Sequence, residues 1–102
     1  MAARIQRDIR PGEIAKEMRR DLGYWLKVQR EKKGLTQSQL AELLDLKYYS
    51  FVSQVENGSC RIPQELYALW ADSLGVEQDE FAKTVLEHLE PGLHEILFRS
   101  DG

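Results

Sequence analysis

Residues 36–58 read TQSQLAELLDLKYYSFVSQVENG, and this stretch decides the fold of the chain. Thr36 followed by Gln39 is typical of a capping box, in which two side chains and two backbone amides at a helix start satisfy each other. An apolar stripe with helical spacing follows, made of Leu40, Leu43 and Leu44. We therefore predict a helix that begins at Thr36 and buries this stripe.

A second short helix is predicted after a break that starts at Asp45. It begins at Lys47 or Tyr48, runs to Glu56 and stops at the Asn-Gly pair of residues 57–58, because such a pair favours a turn. Aspartate tolerates the left-handed backbone conformation better than most residues, so a tight turn is expected at the break. The stretch thus predicts two helices joined by a tight turn.

The predicted second helix has two different faces when its residues are placed at roughly 100° per step. We expect one face to point to the core, and it consists of Tyr48, Phe51, Val52 and Val55. The opposite face offers hydroxyls, amides and one phenol, and it consists of Tyr49, Ser50, Ser53, Gln54 and Asn57. These groups are suited to base edges in the major groove, whereas carboxylates would repel phosphate. An ordinary solvent-exposed face is the alternative, although such faces are usually richer in Glu and Lys.

Another helix is predicted before this pair. It begins near Pro11, which suits a first helical position, and Gly34 closes it. Its apolar stripe consists of Ile14, Met18, Leu22, Trp25 and Leu26. Gly23 is expected to interrupt or bend this helix.

Two more helices are predicted after the pair. The fourth begins near Pro63 and ends at Gly75, with an inner face of Leu66, Leu69, Trp70 and Leu74. The fifth covers about residues 78–89, with Phe81, Val85 and Leu89 on one side. For the apolar run at residues 96–98, helix and strand both stay open. Because no strong alternation of period two appears, the predicted fold class is all-α.

The composition limits the possible functions. A chain of 102 residues suits one domain, and no apolar run approaches the roughly 20 residues that a membrane span needs. A secretory signal is not expected at the N-terminus. With Cys60 as the one cysteine, no internal disulfide can form, and a reducing cytoplasm is expected. His88 and His94 lack a ligand motif around them, so ordinary surface or core-edge positions are a better interpretation than a metal site.

No catalytic constellation is recognisable in the sequence. It has no Ser-His-Asp, Cys-His or paired-carboxylate motif and no glycine-rich phosphate loop. We therefore expect a protein that is not an enzyme and that has no catalytic residues, no metal and no cofactor.

Charge is unevenly distributed, although the formal net charge is only −3. Residues 1–33 hold ten Lys or Arg against five acids, residues 34–61 hold two against three, and residues 62–102 hold two against nine. The basic residues 1–33 are suited to contact phosphate, and the acidic residues 62–102 would then face away from it. Two solvated helix faces explain the same distribution equally well.

Two segments resemble a known family. They are residues 30–41, REKKGLTQSQLA, and residues 52–58, VSQVENG, and they resemble the Cro and phage-repressor class of helix-turn-helix proteins, the Xre family. With the region from Leu74 to the helix of Phe81, the resemblance covers about residues 22–89.

The chain departs from the family pattern in its turn. Asp45 stands where the family usually has glycine, and one extra residue lies between Ala41 and Gly58. The turn or the start of the third helix has to absorb the extra residue, so residues 47–49 can each shift by one position.

The resemblance implies a compact five-helix repressor-like domain at residues 21–90, whose third helix enters the major groove. Residues 1–20 are a basic N-terminal extension, and a longer first helix is preferred there to an arm along DNA. Residues 91–102 form a short C-terminal tail.

The resemblance also implies a set of DNA-binding residues. The set consists of Gln37, Ser38, Lys47, Tyr48, Tyr49, Ser50, Ser53, Gln54, Asn57 and Arg61. Gln37 is implied to contact phosphate, and Asn57 and Arg61 to approach the DNA backbone. Arg30 and Glu56 match positions that often form an ion pair between the first and third helices.

The implied function is sequence-specific regulation of transcription by a cytoplasmic, DNA-associated protein of bacterial or phage origin. It would act as a repressor that binds double-stranded DNA at an inverted-repeat operator as a homodimer. The acidic fourth and fifth helices, with Leu97 and Phe98 of the tail, are candidates for the dimer surface. The alternative is an antitoxin, or another interaction module, that uses the same fold to bind a toxin-like protein through its acidic half.

Overall fold

The computed structural model describes residues 11–99, which form six α-helices, one 3₁₀ turn and no strand. The helices are α1 Pro11–Lys32, α2 Gln37–Leu43, α3 Ser50–Glu56, α4 Tyr67–Leu74, α5 Gln78–Leu89 and α6 Pro91–Phe98, and the 3₁₀ turn Gln64–Leu66 precedes α4. The predicted all-α class is confirmed. Residues 96–98, left open between helix and strand, belong to a helix.

Helix α1 is continuous for 22 residues, a length of about 33 Å. It includes residues 11–20 of the predicted basic extension, while the part of that extension before Pro11 lies outside the described residues. Gly23 does not interrupt the helix, so the predicted interruption is wrong. Gly23 is buried where α1 packs against α3.

Four helices end with a left-handed residue after their last turn. These residues are Gly34 at φ +78°, Asp45 at φ +59°, Gly58 at φ +85° and Gly75 at φ +72°. In each case the N–H of this residue and of the next one donate back to carbonyls of the final turn. Among residues 11–99, Asp45 is the only non-glycine residue with a positive φ. The expectation that aspartate keeps the turn is therefore confirmed.

The core draws one fully buried large side chain from each of the first five helices. These side chains are Leu26, Leu40, Val52, Trp70 and Phe81. The ring of Phe81 lies 6.1 Å from that of Trp25 and 6.0 Å from that of Tyr67, measured between centroids. Helix α6 packs on α5 but contributes no buried residue. The helix-turn-helix pair α2–α3 therefore rests on a platform built by α1, α4 and α5.

Three residues expected on the inner faces of α1, α2 and α4 are exposed: Ile14, Leu43 and Leu69. Leu43 is 51% exposed because the buried arc of α2 runs through Leu40, Leu44 and Ala41, and Leu43 lies beyond its edge at 100° per residue. Leu69 lies outside the arc of Trp70, Ala71 and Leu74 for the same reason. Ile14 stands two turns before Leu22, the first buried apolar residue of α1.

No helix within residues 11–99 has the length and apolarity to cross a membrane.

Candidate DNA-binding interface

The start of α2 is fixed by a complete capping box. Thr36 Oγ1 accepts a hydrogen bond from the Gln39 backbone N–H at 3.0 Å, and the Thr36 backbone N–H donates to Gln39 Oε1 at 2.8 Å. The predicted capping box is therefore confirmed. It leaves Ser38 exposed on the first turn of α2 and Gln37 partly buried.

Helix α3 begins at Ser50, two or three residues later than predicted. Tyr49 is its N-cap, and Tyr48 lies before the helix with 64% of its surface exposed. Helical periodicity does not apply to Tyr48, so its placement on the core face is wrong. The turn has thus taken up the extra residue, and both tyrosines project outward.

The outer surface of α3 is polar and has no acidic side chain. Tyr49, Ser50, Gln54 and Asn57 are exposed, and Ser53 is partly buried. The one carboxylate of the helix, on Glu56, is buried. The structure therefore presents to solvent the hydrogen-bonding groups that the sequence places on one face, with no negative charge among them.

A buried ion pair joins α1 to α3. The Arg30 guanidinium donates from Nε to Glu56 Oε2 at 2.7 Å and from Nη2 to Glu56 Oε1 at 3.0 Å. Arg30 Nη1 also donates to the Leu35 carbonyl at 2.7 Å. The hydrogen bond that Arg30 donates to Glu56 raises the pKa of Arg30, while burial opposes this shift. Both charges are thus paired in a two-point geometry that fixes the position of α3.

Gln37 joins this network from α2. Its Nε2 donates to Glu56 Oε1 at 2.9 Å. The network therefore links α1, α2 and α3 through one carboxylate. The family resemblance implies that Gln37 contacts phosphate. In the structure, its side-chain amide is hydrogen-bonded to Glu56.

The backbones of α1 and α3 meet at two glycines. A Cβ on Gly23 would collide with the backbone carbonyl of Glu56. A Cβ on Gly58 would lie 2.8 Å from the backbone N and Cα of Arg20, and Gly58 has φ +85°. Position 23 requires glycine because there is no room for a Cβ. Position 58 requires glycine for the same reason and because its φ is positive. Sequence reasoning missed this role of Gly23, although an isolated glycine in a strong helical pattern is a known sign of close packing.

Arg19 forms a further contact with the end of α3. Its Nε donates to the Gly58 carbonyl at 2.9 Å. The sequence carries no signal for this contact, because the partner is a backbone oxygen.

The segment after α3 carries two residues of the predicted set. Asn57 Oδ1 accepts hydrogen bonds from the Ser59 backbone N–H at 2.9 Å and from Ser59 Oγ at 2.6 Å. Arg61 is exposed at the end of the same segment. The side-chain oxygen of Asn57 is thus used within the loop, and Arg61 is open to a ligand.

Three further residues of the set lie together between α2 and α3. Ser38, Lys47 and Tyr49 line one open groove of about 320 Å³. The Lys47 ammonium lies 5.6 Å from the centre of the Tyr48 ring. Lys47, Tyr48 and Tyr49 therefore form one exposed surface beside the start of α3.

His88 and His94 each contact a neighbour within their own helix. Residues 11–99 contain no group of three His, Cys, Asp or Glu side chains placed to hold a metal ion. His88 Nδ1 lies 3.0 Å from the Thr84 carbonyl, and the ring of His94 lies 5.0 Å from that of Phe98.

Comparison with known proteins agrees with this geometry. A family model described as helix-turn-helix matches residues 26–81, more than half of the chain. A search of curated proteins gave no significant match. The matched segment contains both helices of the α2–α3 pair and both members of the Arg30–Glu56 ion pair. The chain belongs to the Xre-type helix-turn-helix family of DNA-binding regulators.

Proposed function

We propose that the protein is a repressor that binds a palindromic operator as a homodimer, with α3 in the major groove and the protein in the cytoplasm with its DNA. The observation that carries this proposal is the outer surface of α3, which has hydrogen-bonding groups and no carboxylate and is held by a buried ion pair. A rigid element that presents such groups suits direct contact with base edges.

The residues divide into two roles under this proposal. Tyr49, Ser50, Ser53 and Gln54 contact base edges, because they lie at the start and on the outer side of α3. Phosphate contacts fix the register of the protein on the duplex without specifying sequence, and we assign them to Gln37, Ser38, Lys47, Tyr48, Asn57 and Arg61. Gln37 contacts phosphate only if its amide can serve Glu56 and DNA together, or if it leaves Glu56 on binding.

Selection of bound sequences from a random DNA pool tests the specificity. We expect an inverted repeat whose half-sites lie about 10 base pairs apart, one turn of the duplex. Tyr49→Ala and Gln54→Ala should each weaken binding to the selected site by about tenfold to a hundredfold, the usual value of a base contact. Binding that is weak, sensitive to salt and independent of sequence contradicts the proposal.

Gln78→Ala is the matched control for Gln54→Ala. It removes the same amide from α5, where Gln78 is exposed and hydrogen-bonds Asp72. We expect its affinity for the selected site to equal that of the unchanged protein.

In vitro transcription tests whether the protein represses. Transcription from a promoter that overlaps the site should fall when the unchanged protein is added, whereas a rise would identify an activator.

A second copy of the chain is our proposed occupant of an apolar surface on α6. This α6 patch consists of Leu93, Ile96, Leu97 and Phe98, which are 44–67% exposed. It lies in the acidic part of the chain, where residues 62–102 hold two Lys or Arg against nine acids, so DNA phosphate is repelled from it. A cluster of this kind is typical of protein interfaces, and two copies of it cover each other in an isologous dimer.

Leu97→Glu tests the dimer. Sedimentation should show a dimer for the unchanged chain and a monomer for the variant at the same concentration. Affinity for the whole inverted repeat should fall at least tenfold, while affinity for a single half-site stays unchanged. A dimer that survives Leu97→Glu places the interface elsewhere.

Removal of residues 90–102 separates the repressor from the antitoxin alternative. Loss of self-association supports the homodimer. If the chain is instead monomeric and the deletion abolishes a stoichiometric complex with a basic protein encoded beside it, the toxin-binding alternative holds.

A further inference from the structure

One side of α1 holds the C-terminal half of α3 at three successive points. Arg19, Gly23 and Arg30 share this side because they are separated by four and seven residues, close to one and two turns of a helix. They meet the Gly58 carbonyl, the Glu56 backbone and the Glu56 carboxylate in turn. The family match begins at residue 26, so the first two points lie outside it.

The Arg19 contact closes the far end of α3. The last carbonyls of a helix lack partners within the helix and carry a partial negative charge. The Gly58 carbonyl lies two residues beyond Glu56, the last residue of α3, and accepts a hydrogen bond from the charged Arg19 Nε at 2.9 Å, in a partly buried position. Gly58 has no Cβ, and this is what lets the α1 backbone come close enough for the hydrogen bond.

Arg19 contacts the segment of residues 57–61. Under the proposed function, Asn57 and Arg61 of this segment contact the DNA backbone. The N–H groups of Ser59 and Cys60 fold back to the Gln54 carbonyl, at 2.8 Å and 3.4 Å, so Gly58 lies inside a compact turn. Arg19 and Arg61 line the same small cavity of about 50 Å³. A shift at Gly58 therefore moves both the end of α3 and the start of the loop that presents Arg61.

We propose that Arg19 is a positioning residue for DNA recognition: it fixes the C-terminal end of α3 and the loop of residues 57–61 so that base and phosphate contacts form together. This inference rests on the proposed function. It makes the first half of α1, outside the matched domain, a determinant of specificity. The competing assignment is direct contact of Arg19 with DNA phosphate. Titrations at several salt concentrations separate this contact from positioning.

Three variants test the proposal. Arg19→Ala removes the donor and the charge, and Arg19→Gln keeps an N–H donor without the charge. Arg20→Ala is the matched control, because it removes the same charge one residue along α1, where Arg20 is exposed and lies 4.0 Å from Glu17. Each variant is titrated with the selected operator and with random DNA at several salt concentrations.

Positioning predicts a change in specificity. Arg19→Ala should lower the ratio of operator affinity to random-DNA affinity by about tenfold, the scale of one charge-assisted hydrogen bond. The salt dependence should stay unchanged, and Arg19→Gln should recover most of the ratio. Equal loss on both DNAs, with a salt slope reduced by about 0.9, assigns Arg19 to phosphate contact and overturns the proposal. An unchanged ratio in Arg19→Ala also overturns it.

Hydrogen exchange of the free protein supplies a readout that needs no DNA. The amides of Ser59 and Cys60 should exchange about tenfold faster in Arg19→Ala than in the unchanged chain, and at the unchanged rate in Arg20→Ala. Equal rates in all three proteins overturn the inference. If the unchanged chain shows no sequence preference, the proposed function fails, while the exchange rates still decide whether Arg19 holds the loop. If Arg19→Ala does not fold, the same exchange rates are measured in Arg19→Gln and compared with those of the unchanged chain.

Discussion

At the scale of single residues, the Glu56 carboxylate explains much of the site. It accepts hydrogen bonds from Arg30 and from Gln37 and lies in the interior. A buried charge is tolerated only when it is paired and hydrogen-bonded, and here both oxygens are used. The same pairing keeps a negative charge off the outer surface of α3. One residue thus serves the fold and the electrostatics of the interface.

Arg30→Ala tests this pairing. It leaves the Glu56 carboxylate buried with its charged partner gone, so we expect the free energy of unfolding to fall by about 3–5 kcal/mol. Urea denaturation measures the loss, and DNA affinity should fall with it because α3 is no longer fixed. The double variant Arg30→Met, Glu56→Leu removes both charges and should stay near the stability of the unchanged protein. Unchanged folding and affinity in Arg30→Ala would contradict the role of the pair.

At the scale of elements, the crossing of α1 and α3 is a contact between backbones. Helices usually pack through side chains at interaxial distances of about 8–10 Å, and glycines are needed where they approach more closely. Gly23 and Gly58 supply that space from opposite sides of the crossing. Because α3 has only seven residues, it lacks stability of its own and takes its orientation from this contact.

Gly23→Ala tests the crossing. Its methyl group would meet the Glu56 carbonyl, so α3 has to move, and we expect a loss of about 1–3 kcal/mol in unfolding free energy. Thermal unfolding followed by circular dichroism measures this loss. Gly12→Ala is the matched control in the same helix, since nothing lies within 4 Å of its added Cβ, and it should be neutral or slightly stabilising. Similar melting temperatures for both variants would contradict the close approach.

At the scale of the whole molecule, the two ends of the chain differ in charge and surface. Residues 1–33 are basic, and residues 62–102 are acidic and include the α6 patch. Under the proposed function, DNA phosphate attracts the basic residues of the first part and repels the acidic residues of the second. This charge distribution supports the proposal that a second copy, and not DNA, covers the α6 patch.

Alkaline pH should destabilise the whole molecule. Burial raises the pKa of the Cys60 thiol above its ordinary 9.0 and that of the Tyr67 phenol above its ordinary 10.0, while Arg19 and Arg61 respectively oppose these shifts. The unfolded chain therefore loses these protons first, so stability is fully present below about pH 9 and is lost as the pH rises through the folded-state values. Denaturation at pH 8 to 11 measures the decline. Cys60→Ser should flatten its first part, and a decline unchanged by Cys60→Ser would contradict the assignment.

The sequence by itself determined the order of the first five helices, the capping box at Thr36, the turn at Asp45 and the pairing partners Arg30 and Glu56. The first three depend on hydrogen bonds and backbone preferences within a few residues, which local patterns express directly. The family resemblance implies the pair, whose members lie 26 positions apart and are not linked by a local pattern.

Only the tertiary structure decided the start of α3, the exposure of Tyr48 and Leu43, and the contacts of Gly23 and Arg19. Each depends on which neighbour a residue meets, and apolar periodicity does not distinguish a core position from one just outside the buried arc. Gly23 and Arg19 meet the backbone carbonyls of Glu56 and Gly58, and backbone partners leave no complementary residue in the sequence. The structure also showed that residues 91–98 form a helix, since their apolar run is too short to select helix or strand by its own pattern.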